Sequence, residues 1–336
     1  MKSRRLFVVI TLASVFCFVI LGVSVFTGLC DAGTSVVLAA GSGGEGTSTE
    51  GAGENPFGPL NEYIPTSLLQ KDIKTYNKTL GGFDKEKSPR EYAMLLIRTG
   101  FSYLALETER RDKDLFEAAQ LFSVAIKICG EKGFAREYNE ARVGVGLALI
   151  EMTDGDHVKN LHSAIEMLGG GAEYFKQTDD TLAYLIAENG LGFAYSYLYS
   201  SMDRTKKDLG AAEDHFNEVL SATSPQKFKV QYGKAQLGLG KVYLDSFGAS
   251  GDRLMMEKGL LSLSDARNVF SETFFPTLYT RTYFLSALAY AAADDVKKAL
   301  ELLEETMVVA DKTNDPRLQS YMNFFNSFVT SKGLME

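Results

Sequence analysis

The sequence predicts an all-α chain of about five helical hairpins stacked side by side, closed by a terminal helix. Three observations carry this. From about residue 60 on, apolar residues recur at helical spacing and no strand-like alternation appears. Three segments then repeat one another: ARVGVGLAL (141–149), AENGLGFAY (187–195) and AQLGLGKVY (235–243). Each has Ala, then Gly-x-Gly, then Leu or Tyr three residues after the second Gly. Weaker copies stand at Gly100–Tyr103 and Ala287–Tyr290. The reference positions Gly100, Gly146, Gly192, Gly240 and Ala287 are 46, 46, 48 and 47 residues apart. A second series marks the partner helix: Ala118/Phe122/Ala125, Ala164/Leu168/Gly171, Ala212/Phe216/Val219, Gly259/Leu263/Ala266 and Ala299/Leu303/Thr306. From the first residue of each set to the next reference position is 28 residues, four times in succession. Within the hairpins the separations drift, being 18, 18, 20, 19 and 12. Chance apolar clusters would not hold one spacing constant while the other varies.

The elements follow in order. Residues 1–30 read as a signal peptide or an amino-terminal transmembrane anchor. Leu6 to Leu29 contain no charge and, at about 1.5 Å per residue, are long enough to cross a hydrocarbon core of about 30 Å. Lys2, Arg4 and Arg5 precede the run, which keeps the amino end in the cytoplasm and places the rest outside. The run exceeds the apolar core of a cleaved signal, favouring an anchor. Cleavage after Ala32 or near Ala39-Ala40 stays open, as does acylation at Cys30, although Leu29 is larger than a lipoprotein signal wants there. The expected location is membrane-anchored with the domain outside the cytoplasm, periplasmic or at the cell surface, or secreted if the signal is cleaved. Residues 31–58 are a linker whose core, AGSGGEGTSTEGAGENPFG (40–58), cannot bury enough surface to offset its ordering entropy. A leading helix is expected within 59–87, near 66–82. The hairpins occupy 88–313, and a helix within 314–336 covers the last of them. Ser88-Pro89-Arg90-Glu91 reads as a capping box, and Ser224-Pro225 and Asp315-Pro316 as further helix starts. Asp114, Asn160, Asp208 and Asp295 suit N-caps.

These spacings resemble the tetratricopeptide-repeat family, whose pattern has Gly then Tyr three apart on the first helix and Ala, Phe/Leu, Ala on the second. Ala287, Tyr290, Ala299 and Leu303 match its spacing; the other four units resemble an expanded form, the family's period being about 34 residues. The resemblance covers residues 89–311. It implies a right-handed superhelix whose first helices line a concave binding side. Residues three before and one, four and five after each reference position then face inward. By that resemblance the binding face carries Ile97 and Phe101, Val143 and Leu147, Asn189, Phe193 and Tyr197, Leu237, Lys241 and Asp245, and Phe284. A leading helix laid into this groove would instead make these residues core.

Composition narrows the chemistry. The chain has formal net charge −8; beyond Lys2, Arg4 and Arg5, 32 basic residues face 43 acidic ones, so no nucleic-acid partner is expected. Three cysteines rule out a disulfide scaffold or a four-cysteine zinc site. The Gly-x-Gly pairs lack the preceding strand and third Gly of a dinucleotide fingerprint, and no phosphate-binding Gly-Lys-Ser/Thr occurs. Asp154-Gly155-Asp156 lacks the rest of a calcium loop. His157 and His162 lie off the i, i+4 spacing that sets two ligands on one helical face. His215 and Cys129 read as structural. Asn77-Lys78-Thr79 matches a glycosylation sequon, relevant only in a eukaryotic secretory pathway. No enzyme, cofactor or metal site is expected. The chain reads as a membrane-tethered, extracytoplasmic scaffold for a protein or peptide partner. The alternative is an extracytoplasmic protein binding a small apolar ligand, serving a transporter; an enclosed cavity favours it, an open groove the scaffold.

Overall fold

The computed structural model describes residues 55–333 except 154 and 202–204. The fold is all-α, and the described residues form twelve α-helices: α1 (Thr66–Gly81), α2 (Pro89–Leu104), α3 (Arg111–Lys132), α4 (Ala135–Glu151), α5 (His157–Gln177), α6 (Thr181–Ser201), α7 (Lys206–Ala222), α8 (Lys229–Ser250), α9 (Arg253–Arg267), α10 (Pro276–Ala292), α11 (Val296–Thr313) and α12 (Leu318–Ser331). Among the described residues a 3₁₀ turn, Gly58–Leu60, precedes them.

Helix ends show where local chemistry acted. Asp295 caps α11 by accepting the Lys298 amide, as its position suggests. Asp114, Asn160 and Asp208 instead lie inside the first turns of α3, α5 and α7. The caps of α5 and α7 are Asp156 and Thr205, which accept the amides of Lys159 and Asp208. Pro89 opens α2 as expected, but the Ser88 side chain makes no cap bond. Ser224 accepts the amides of Gln226 and Lys227 in a turn, and α8 starts only at Lys229, because Phe228 holds a left-handed φ of 54°. Asp315 likewise accepts the Arg317 amide, and α12 begins at Leu318.

Packing follows the two series. Each helix from α1 onward packs on the next, and the first helices α2, α4, α6, α8 and α10 also touch one another in order, forming an inner layer. Helices α3, α5, α7, α9 and α11 form the other layer. The Gly-x-Gly pairs explain how the layers approach. A Cβ added at Gly146, Gly192 or Gly240 would lie 2.6–2.7 Å from Leu168, Phe216 or Leu263, the large residue of the same hairpin. One added at Gly144, Gly190 or Gly238 would crowd Phe122, Leu168 or Phe216, the large residue of the preceding hairpin. Phe122, Leu168 and Phe216 are therefore each seated between two glycines of successive inner helices (Gly100 and Gly144, Gly146 and Gly190, Gly192 and Gly238), in one continuous core, whereas Leu263 meets Gly240 alone.

Among the described residues no helix is long and apolar enough to cross a membrane; the run at 6–29 lies outside them. The linker expectation ends too late. Phe57 is fully buried, and residues 55–64 form a packed strap ahead of α1.

Candidate functional site

The residues assigned to the concave face sit in the inner layer, and none is exposed. Ile97, Phe101, Val143 and Leu237 have no accessible surface; Asn189, Phe193, Tyr197, Lys241 and Phe284 are buried; Leu147 and Asp245 are half-buried. Helix α1 does not fill the groove; its buried residues Leu69 and Ile73 pack with Ala105 and Leu106 after α2. The strap fills it instead.

Prolines at 56, 59 and 65 deny the strap a regular helix. Local bonds hold its turn: Asn55 Oδ1 accepts the Phe57 amide at 3.0 Å, and the Gly58 carbonyl accepts the amides of Asn61 and Glu62. The Phe57 ring lies 4.8 Å from Phe101 and 5.9 Å from Phe175, and the Tyr63 ring lies 6.3 Å from Phe275. Between them, the Leu60 carbonyl accepts from Gln231 Nε2 at 3.1 Å and Lys234 Nζ at 3.4 Å. Gln231 Oε1 in turn accepts from Asn189 Nδ2 at 3.0 Å, so α6, α8 and the strap share one polar chain.

A cavity of about 30 Å³, room for about one water, lies beside Leu60, lined also by Leu104, Leu147, Glu151, Ile186, Asn189, Phe193, Gln231 and Lys234. Its electrostatics are unusual for the core of a helical protein. Burial pulls the Lys234 ammonium down to about 7 against the opposing pull of Glu151 and Glu107. Glu151 is bound by Arg111, whose guanidinium also donates to the Leu104 carbonyl at 2.9 Å. Asn189 Oδ1, fully buried, has no hydrogen-bond partner among the described residues.

The rest of the inner face is closed by the far end of the chain. Arg281 of α10 donates to the Tyr197 hydroxyl at 2.7 Å and lies over the Phe193 ring. Lys241 donates to Ser200 at 2.8 Å and to Asp245 at 2.7 Å. Phe284 packs on Tyr321 and Phe324 of α12. Glu107, in the loop after α2, accepts from Thr277 of α10 and from Arg317 at 3.4 Å. Burial raises the Glu107 carboxyl above its usual range despite Arg317.

Elsewhere, His215 bonds Glu188 at 2.7 Å and stacks on Tyr195, and Cys129 is buried with its thiol pushed up to about 12 by desolvation. Among the described residues no group of three or more His, Cys, Asp or Glu could hold a metal ion. Sequence reasoning brought together Leu147, Asn189 and Phe193, all of which line the cavity. It missed Glu151, Gln231, Lys234 and Leu60. Glu151 stands five after Gly146, an inward register position, so the same rule reaches it. Gln231 and Lys234 lie further toward the start of α8, and only their polarity on an apolar face marks them. Neither protein-family models nor curated protein sequences match the chain.

Proposed function

We propose that this chain is a membrane-tethered, extracytoplasmic scaffold, a right-handed superhelix of tetratricopeptide-like hairpins that binds a protein or peptide partner on its concave side. The supporting observation is the way the inner face holds the strap. An irregular segment is gripped by one aromatic anchor in an aromatic pocket, and by two buried side chains that read a main-chain carbonyl. Those are the contacts by which a groove recognises a peptide. The recurring seats of Phe122, Leu168 and Phe216 between paired glycines fit the repeat register. The cavity beside Leu60, about 30 Å³, does not by itself supply a small-ligand site, which typically measures roughly 300–1,000 Å³.

A photo-crosslinking residue placed at exposed Glu62, beside the groove, should capture a partner in intact membranes. The same group at exposed Leu254, on α9 of the other layer, should not. Equal capture from both positions, or none from either, removes the concave-side reading. Protease added to intact spheroplasts tests the location; full protection of the domain would place it inside.

A further inference from the structure

We propose that residues 55–64 are a displaceable internal ligand, and that the groove they fill recognises a partner segment in the same 3₁₀-turned conformation, carrying Phe, a Leu-like or larger apolar residue, and Tyr at positions i, i+3 and i+6. This rests on the peptide-binding reading above and names what that partner presents.

Three observations converge. The strap's anchors are spaced by three, and each enters a different site: Phe57 against Phe101 and Phe175, Leu60 beside the cavity, Tyr63 against Phe275. The residues between them take no such seats; Gly58, Pro59 and Asn61 are half-buried and Glu62 is exposed. Second, the central contact is to a main-chain atom. Gln231 and Lys234 converge on the Leu60 carbonyl, a group every peptide offers. A core that only needed filling would place apolar side chains there, because burying a lysine is costly unless it has a task. Third, the fit is incomplete. Space for about one water remains beside Leu60, and the buried Asn189 Oδ1 has no donor among the described residues. A segment with a larger side chain at the Leu60 position and a donor near Asn189 would fill that space and meet Asn189 Oδ1.

The test uses the full chain in nanodiscs and a fluorescent peptide of residues 53–66 as probe. The unmodified chain should bind it weakly, because the strap occupies the groove. A Phe57→Ala/Leu60→Ala chain should bind it about tenfold tighter or more, as expected when the competent state becomes the populated one. A probe with its own Phe replaced by Ala should bind neither chain. Replacing the probe's Leu by Met should strengthen binding. A folded double variant that binds no probe overturns the proposal. Hydrogen exchange on the unmodified chain supplies the second measurement. The amides of Leu60, Asn61 and Glu62 should exchange well before those around Phe193; equally slow exchange means the strap is core and sinks the idea. If the double variant does not fold, that exchange result decides alone. Probe binding without any partner captured at Glu62 would uphold the displaceable strap while removing the partner reading, and locked strap amides with a captured partner would do the reverse.

Discussion

Gly192 and Gly210 form a matched pair that tests the packing of the paired glycines. Both sit inside helices, α6 and α7 of one hairpin. Replacing glycine by alanine within a helix ordinarily stabilises by about 1 kcal/mol, through backbone entropy. At Gly210 a Cβ meets nothing within 4 Å, so the full gain should appear. At Gly192 the Cβ would lie 2.6 Å from Phe216 Cε1 and 2.8 Å from Cδ1 and Cζ. Carbon atoms in ordinary contact are about 3.5–4.0 Å apart, so the ring must retreat by about 1 Å. It has nowhere to go. Phe216 is fully buried, meets Phe193 edge-on at 5.0 Å, and is crowded from the next inner helix by Gly238. Overpacking of this kind costs about 1–3 kcal/mol. Urea melts of the two variants share the entropy gain, so their difference isolates the clash. Gly192→Ala should fall about 1–3 kcal/mol below Gly210→Ala. Equal stabilities would show that Gly192 does not face Phe216, and the register built on the paired glycines would fall with it.

Other expectations follow from the inner cluster and the helix ends. Lys234 is held below the unfolded lysine value, so between about 7 and 10.5 the unfolded chain binds more protons and stability should rise with pH through that window. The limiting slope is about 1.4 kcal/mol per pH unit; Lys234→Met should flatten it, and an unchanged slope in melts from pH 7 to 10 would contradict the burial of the amine. Arg111→Met strands the buried Glu151 carboxylate and should cost about 3–5 kcal/mol; adding Glu151→Gln should recover part of this in a double-mutant cycle. Asp252 caps α9 by accepting the Leu254 amide at 3.0 Å, and Asp252→Ala should lower stability by about 1 kcal/mol in the same melts. Cys129, buried with a raised pKa, should resist alkylation at pH 8 until the chain unfolds, and rapid modification of its peptide in mass spectrometry would refute that burial.

What the sequence determined by itself is what repeats or is local. Helical periodicity sets the fold class, since a 3.6-residue stripe cannot serve a sheet. Four reference glycines in register located the close contacts, because a glycine at a fixed offset from a large partner has one geometric use. Asp295 shows that a cap can be read from its neighbours, whereas Asp114, Asn160 and Asp208 show the limit. Asp and Asn are favoured both at the cap and within the first turn, and the acceptor one turn earlier is set by how the loop enters. Only the tertiary structure decided what covers the inner face. Phe57 ends a Gly- and Ser-rich stretch and reads as tether, and Leu60 as the start of the leading-helix segment, since two apolar residues cannot order a segment alone. They are ordered by Phe101, Phe175, Gln231 and Lys234, which lie between 44 and 174 residues along the chain from the strap residue each one touches. The clasp of Glu107 on Thr277 and Arg317 is equally non-local. Such pairings depend on how every helix between them packs on the next, and that leaves no mark on any single segment of the sequence.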